Sequence, residues 1–232
     1  KQNVENNHLQ FSFAPFSSDG SSTPVRQFQV ERVSASQLRK SGRRISQMII
    51  ATKAYDLIDA FQSVRDSLDE NARVLVLANG IGFQQTLIDL AAEQQKNISL
   101  YFAVSSDGAR LDSHTLYHTG IGETYIGELA PHNAVNSQSS TASSFALPED
   151  FPLRVKQSDD IARYIWRKFF INCAINMLTI KFDCNNGGLL EHPYRRQVLQ
   201  EITAELQDVV DAVTQFDKTR SCLLYTSDAA DD

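Results

Sequence analysis

Between Ile45 and Val104 the chain alternates short apolar runs with amphipathic ones, and this rhythm constrains its fold more than any other feature. ISQMIIAT reads as a short buried strand. After it, Leu57, Phe61, Val64 and Leu68 recur at spacings of four, three and four, which predicts one apolar face of a helix reaching Leu68. RVLVLA has the unbroken hydrophobicity of a strand covered on both faces. A second helix holds Phe83, Leu87, Leu90 and Ala91, and ISLYFAV is the next strand. Strand, helix, strand, helix, strand predicts a mostly parallel α/β sheet. Ligands of such sheets gather at the carboxyl ends of the strands, where Lys53 and Asn79 stand.

The flanking segments are less regular. HLQFSFAPF and VRQFQVERV alternate as strands do and are separated by a loop, Ser17 to Pro24. The cluster Arg39-Lys40 and Arg43-Arg44 reads as a solvated loop or a helix end. Asn79-Gly80 suits a turn that needs a positive backbone angle. The G-I-G pairs at Gly80–Gly82 and Gly120–Gly122 lack the third glycine of a dinucleotide fingerprint, and His118 reads as a strand-end residue. NSQSSTASS, from Asn136 to Ser144, is a polar low-complexity loop, and FPLRVKQ is one last strand.

IARYIWRKFFINCAINMLTIKF, from Ile161, is an apolar helix that carries Lys168, Asn172 and Asn176 four residues apart, on one narrow face. Burying a lysine and two amides there is costly unless a carboxylate, a carbonyl or a ligand meets them. Two readings stand: the lysine snorkels to water and the asparagines bond backbone, or the stripe receives a small anionic or carbonyl-bearing molecule. Ser158 is placed to cap this helix, with Asp159 and Asp160 in its first turn. Its end is predicted near Phe182, before an Asn-Asn-Gly-Gly turn. Pro193 opens another helix, whose apolar stripe is Val198, Ile202, Leu206, Val209, Val213 and Phe216.

At 232 residues and 42% hydrophobic, the chain can bury one large or two small cores. Its mild acidity leaves no electrostatic footprint for nucleic acid. The longest apolar stretch, broken by Asn172 and Asn176, is too short to span a bilayer. The start, KQNVENNH, has neither an initiator methionine nor the apolar core of a signal peptide, and reads as processed or cut from something longer. CLLYTSDAADD, Cys222 to Asp232, continues no helix or strand pattern and matches the translation of a common transposase sequencing adapter. We treat it as a library-derived tail; its Asp228, Asp231 and Asp232 carry half of the formal charge of −6. The remaining cysteines, Cys173 and Cys184, have no partner cluster for zinc or a disulfide framework; they read as cytosolic thiols, and no metal is expected.

Four blocks in order resemble the ketopantoate reductase family: IIATKAYDLIDAF with Lys53; RVLVLANGIG with Asn79, Gly80 and Gly82; HTLYHTGIGETYIG, His114 to Gly127, similar to H-x-G-x-G-x-x-x-I-G; and Trp166-Arg167-Lys168, Asn172, Ile175-Asn176, Asn186-Gly187. They cover roughly residues 45 to 215. The resemblance implies an α/β protein, a partial Rossmann-type sheet domain followed by an all-helical domain. It divides the chain into 1–153, a partial NADP-binding domain, 154–221, the start of the helical substrate domain, and 222–232, the tail. It implies a cytoplasmic enzyme reducing the 2-keto acid 2-dehydropantoate with NADPH. Lys168 would be the general acid, Asn172 and Asn176 would bind substrate, and Lys53 and Asn79 would lie near the nicotinamide and ribose. Family members carry a G-x-G-x-x-G turn at their N-terminus, which this sequence lacks, so it reads as a middle fragment. A paralogous NAD(P)-dependent dehydrogenase of another 2-keto or 3-hydroxy acid, or an inactive scaffold, are the alternatives.

Overall fold

A computed structural model describes residues 8–16, 24–129, 145–147, 151 and 153–214. The chain resolves into two compact units, residues 1–162 and 163–232.

Among the described residues the first unit holds two sheets. β3 (Ile45–Ile50), β4 (Leu68–Leu77) and β5 (Ser99–Ser105) are parallel neighbours, and β8 (Thr124–Gly127) adds antiparallel to β5, with β9 (Val155–Gln157) parallel beside it. The strands preceding them are β1 (His8–Ala14) and β2 (Arg26–Glu31). These form the smaller sheet, in the order β2-β1-β7-β6, with β6 (Gly108–Asp112) and β7 (Thr115–Gly120). The helices are α1 (Ala35–Ser41), α2 (Leu57–Val64) and α3 (Gln84–Ala92). The expected α/β class with its parallel centre is therefore what the chain forms.

β4 shows why the central strands are so apolar. Leu75 packs with Tyr101, Ala103, Ile126 and Phe145 on one face, and Val74 and Val76, which alternate with it, are buried on the other. Leu57, Phe61 and Leu87 supply fully buried side chains from α2 and α3, each stabilising by about 1.5–3 kcal/mol.

Leu68 departs from the helical expectation. α2 ends at Val64, a 3-10 turn covers Arg65–Ser67, and Leu68 opens β4. Leu68 is fully buried, so its apolar character was demanded by the sheet rather than by the helix face it happens to extend. The basic cluster marks a helix end: α1 is closed by Gly42 in the left-handed region, φ 67°, with Arg39 and Lys40 in its last turn. The helix starts in a capping box, Ser34 and Gln37 each bonding the other's backbone.

The second unit is helical: α4 (Ile161–Phe182), whose first two residues belong to the first unit, α5 (Asn186–Glu191) and α6 (Pro193–Thr214). Ala174, Ile175 and Leu178 of α4 pack with Leu189 and Leu199, and Val198, Ile202 and Leu206 of α6 border that core. The side chains of Val209 and Val213 lie outside the described residues, as do Phe216, Ser17–Thr23, Asn136–Ser144 and Cys222–Asp232. Pro193 is the first residue of α6, as expected.

Two details at the ends of α4 differ from expectation. The Ser158 hydroxyl accepts from the Asp160 N–H at 3.1 Å, a local turn, and α4 begins at Ile161, leaving Asp159 and Asp160 before its first turn. At the far end α4 stops at Phe182, but Asn186-Gly187-Gly188 are helical rather than a turn. Asp183 takes the left-handed angle, φ 48°, and Asn185 caps α5, its side-chain oxygen accepting from the Gly188 N–H at 2.8 Å.

Candidate functional site

Lys53 and Asn79 emerge from one edge of the larger sheet. β3 and β4 run parallel with Ile50 beside Val76, so both chains leave at the same carboxyl edge, Lys53 three residues after β3 and Asn79 two after β4. Both side chains are exposed. Lys53 precedes the 3-10 turn Ala54–Asp56 with extended backbone angles. After Asn79, Gly80 and Gly82 take φ of 105° and 102°, and a Cβ on either would meet nothing within 4 Å. The glycines are therefore set by backbone angle rather than crowding. Gln84 fixes the turn, its amide donating to the Gly80 carbonyl at 3.0 Å and its oxygen accepting from the Gly82 N–H at 2.9 Å. Sequence reasoning passed over Gln84, although an amide two residues beyond G-I-G is its visible signal.

Lys168, Asn172 and Asn176 share α4 in the second unit. Lys168 and Asn172 are half-buried and Asn176 is exposed. Four residues advance a helix by one turn plus about 40°, so the stripe drifts from the margin of the apolar face toward solvent. Upstream on α4, Trp166 stacks on Phe170 at 5.9 Å and meets Phe169 edge-on at 6.1 Å.

The H-x-G-x-G block does something different from what its glycines suggest. His118 sits inside β7 rather than at its end, and its Nε2 lies 3.0 Å from Asp107 Oδ1. Asp107 follows β5, and its Oδ1 also accepts from the Gly122 N–H at 3.1 Å. Its Oδ2 accepts from the Ser105 hydroxyl at 3.0 Å. A Cβ at Gly122 would collide with the Ser106–Asp107 backbone, so this glycine permits a close chain crossing. A cavity of about 360 Å³ opens here, lined among others by Phe13, Phe16, Asp107, His118 and Arg154. None of the five sequence-predicted site residues lines it.

Nearby, Glu123 accepts from Lys156 and Tyr125. Those two hydrogen bonds hold its carboxyl below the ordinary 4.5 against the opposing effect of desolvation, with lesser help from the charges of Lys156 and Arg154. Among the described residues no group of three or more His, Cys, Asp or Glu is placed to hold a metal ion, and no helix is long and apolar enough to cross a membrane.

A sequence profile described as ketopantoate reductase PanE/ApbA matches residues 5–131, and the corresponding C-terminal profile matches 160–226. A 2-dehydropantoate 2-reductase of Yersinia pestis is 26% identical over 180 residues, 78% of this chain and 55% of that protein. The chain spans about half the length of the curated relatives it matches. Among solved structures, a dimeric ketopantoate reductase from Staphylococcus aureus superposes with a TM-score of 0.63 at 15% identity, covering 95% of this chain and 70% of that one. A D-mandelate dehydrogenase in complex with NADH follows at 0.60 and 20%, over 81% of this chain and 60% of that one. At these identities the structures speak for the fold.

Proposed function

The chain belongs to the ketopantoate reductase family, and from that premise we propose that the protein reduces 2-dehydropantoate to (R)-pantoate with NADPH, a step toward pantothenate and coenzyme A. The observation that carries the chemistry is the α4 stripe, which keeps a half-buried ammonium and two amides in one row. On this reading residues 1–153 serve the nucleotide, 154–221 begin the substrate domain, and the protein acts in the cytoplasm.

A bound nicotinamide dinucleotide would supply the hydride. Lys53 and Asn79 fit its nicotinamide and ribose half in character, being exposed donors at the carboxyl edge of adjacent parallel strands. The sequence contains no G-x-G-x-x-G turn to cradle a pyrophosphate, so these residues account for that half alone.

Reduction of a ketone builds negative charge on the carbonyl oxygen. The Lys168 ammonium would stabilise that charge and deliver the proton. Asn172, one turn further along, would orient the substrate by donating from its amide, and Asn176 would do the same from the more open end of the stripe. A carboxylate on the substrate would add an anionic partner for the half-buried Lys168.

The test is NADPH oxidation by a polypeptide that includes this segment at the relatives' full length, offered 2-dehydropantoate beside a panel of other 2-keto acids and with NADH as competing cofactor. Preference for 2-dehydropantoate and NADPH is expected. Preference for an aromatic 2-keto acid with NADH would replace this reading with a paralogous dehydrogenase of the same fold.

A further inference from the structure

The cavity beside Asp107 and His118 has no part in the reaction proposed above, and its chemistry is distinct. Its volume, about 360 Å³, is that of a small-molecule site. The base is fixed. Asp107, with 7% of its side chain exposed, already accepts hydrogen bonds from His118, Gly122 and Ser105, so it serves as an anchor for the imidazole and has little left for a cation. His118, 13% exposed, is held between Phe13 and Phe16, each 6.3 Å away, the first near-parallel and the second edge-on.

Phe151 is a further aromatic residue of the lining, and Arg26 and Arg154 are its two arginines. Among the described residues neither arginine forms a salt bridge. Glu123 lies within the field of Arg154, but its hydrogen bonds go to Lys156 and Tyr125. Asp107 cancels at most one positive charge, that of a protonated His118. The cavity therefore keeps a positive balance whichever form the imidazole takes.

Aromatic walls favour a planar ring, and a guanidinium fork matches a carboxylate geometrically. We infer that this cavity binds a small aromatic carboxylate, its ring against Phe13, Phe16 and Phe151 and its anion toward Arg26 and Arg154. The inference is independent of the reductase reading, because neither arginine belongs to the proposed nucleotide or substrate residues.

The experiment titrates the whole chain with benzoate and follows the His118 imidazole by proton–carbon NMR, the signal being assigned by its loss in His118→Gln. Acetate and benzyl alcohol serve as the anion without a ring and the ring without an anion. Benzoate is expected to give a saturable shift, with acetate and benzyl alcohol at least roughly tenfold weaker. Arg26→Gln and Arg154→Gln, both at exposed positions, should each weaken benzoate by roughly tenfold while leaving the spectrum otherwise folded. A shift that never saturates, or benzoate affinity in both arginine variants equal to that of the unmodified protein, would overturn the proposal. Benzyl alcohol binding as well as benzoate would do the same, by showing a merely apolar hollow.

Discussion

Lys168, Asn172 and Asn176 show what a four-residue spacing fixes and what it leaves open. It fixes a common side of α4, but the drift of the helix decides how deep each residue sits, and that depends on where the apolar face lies. Ile171, Ala174, Ile175 and Leu178 define that face, and Lys168 and Asn172 are its half-buried neighbours. Glu123 carries a pH dependence of its own. Its folded pKa is depressed, so its contribution to stability is present above its ordinary 4.5 and is lost as pH falls through the lower folded value. Glu123→Gln should therefore flatten the acid limb of the stability-against-pH curve, the two proteins converging at low pH. Curves that stay parallel throughout would contradict the assignment. Gly122→Ala should cost about 1–3 kcal/mol in urea unfolding, because the added methyl meets backbone and not a flexible side chain.

At the scale of elements, the end of α2 explains the basic cluster that the sequence left ambiguous between loop and helix end. Arg39 donates to the Ser63 carbonyl, Arg44 to that of Asp66 at 2.7 Å, and Lys96 to that of Leu68 at 2.7 Å. Three cations from two other segments thus meet carbonyls of α2, of its 3-10 turn and of the first residue of β4. Lys96→Met should lower stability by about 1 kcal/mol, seen as a shift in urea midpoint without a change in slope. This convergence was illegible in sequence, since nothing local links Lys96 to Leu68. The strand–helix rhythm was legible because hydrophobic periodicity is local, and it failed at Leu68 where helical spacing happened to run on into the first residue of β4. Asn185 is similar: the Asn-Asn-Gly-Gly run looked like a turn, and a single side-chain cap made it a helix. Asn185→Ala should cost about 1 kcal/mol, measured the same way.

For the whole molecule, the parallel centre places Lys53 and Asn79 on one sheet edge, and a separate helical unit carries Lys168. The sequence blocks that resemble ketopantoate reductases fall in both units, and the family profiles match in both. The Asp107–His118 pair was the least visible part, because the β6–β7 hairpin brings together residues eleven apart and their pairing depends on its register. The central claim rests on Lys168 as proton donor. Its most direct measurement is the turnover of a polypeptide of full family length carrying Lys168→Ala, assayed with 2-dehydropantoate and NADPH beside a separate measurement of NADPH affinity. The account predicts a loss in kcat of roughly 10²-fold or more with nucleotide affinity retained. Turnover equal to that of the unmodified protein would contradict it.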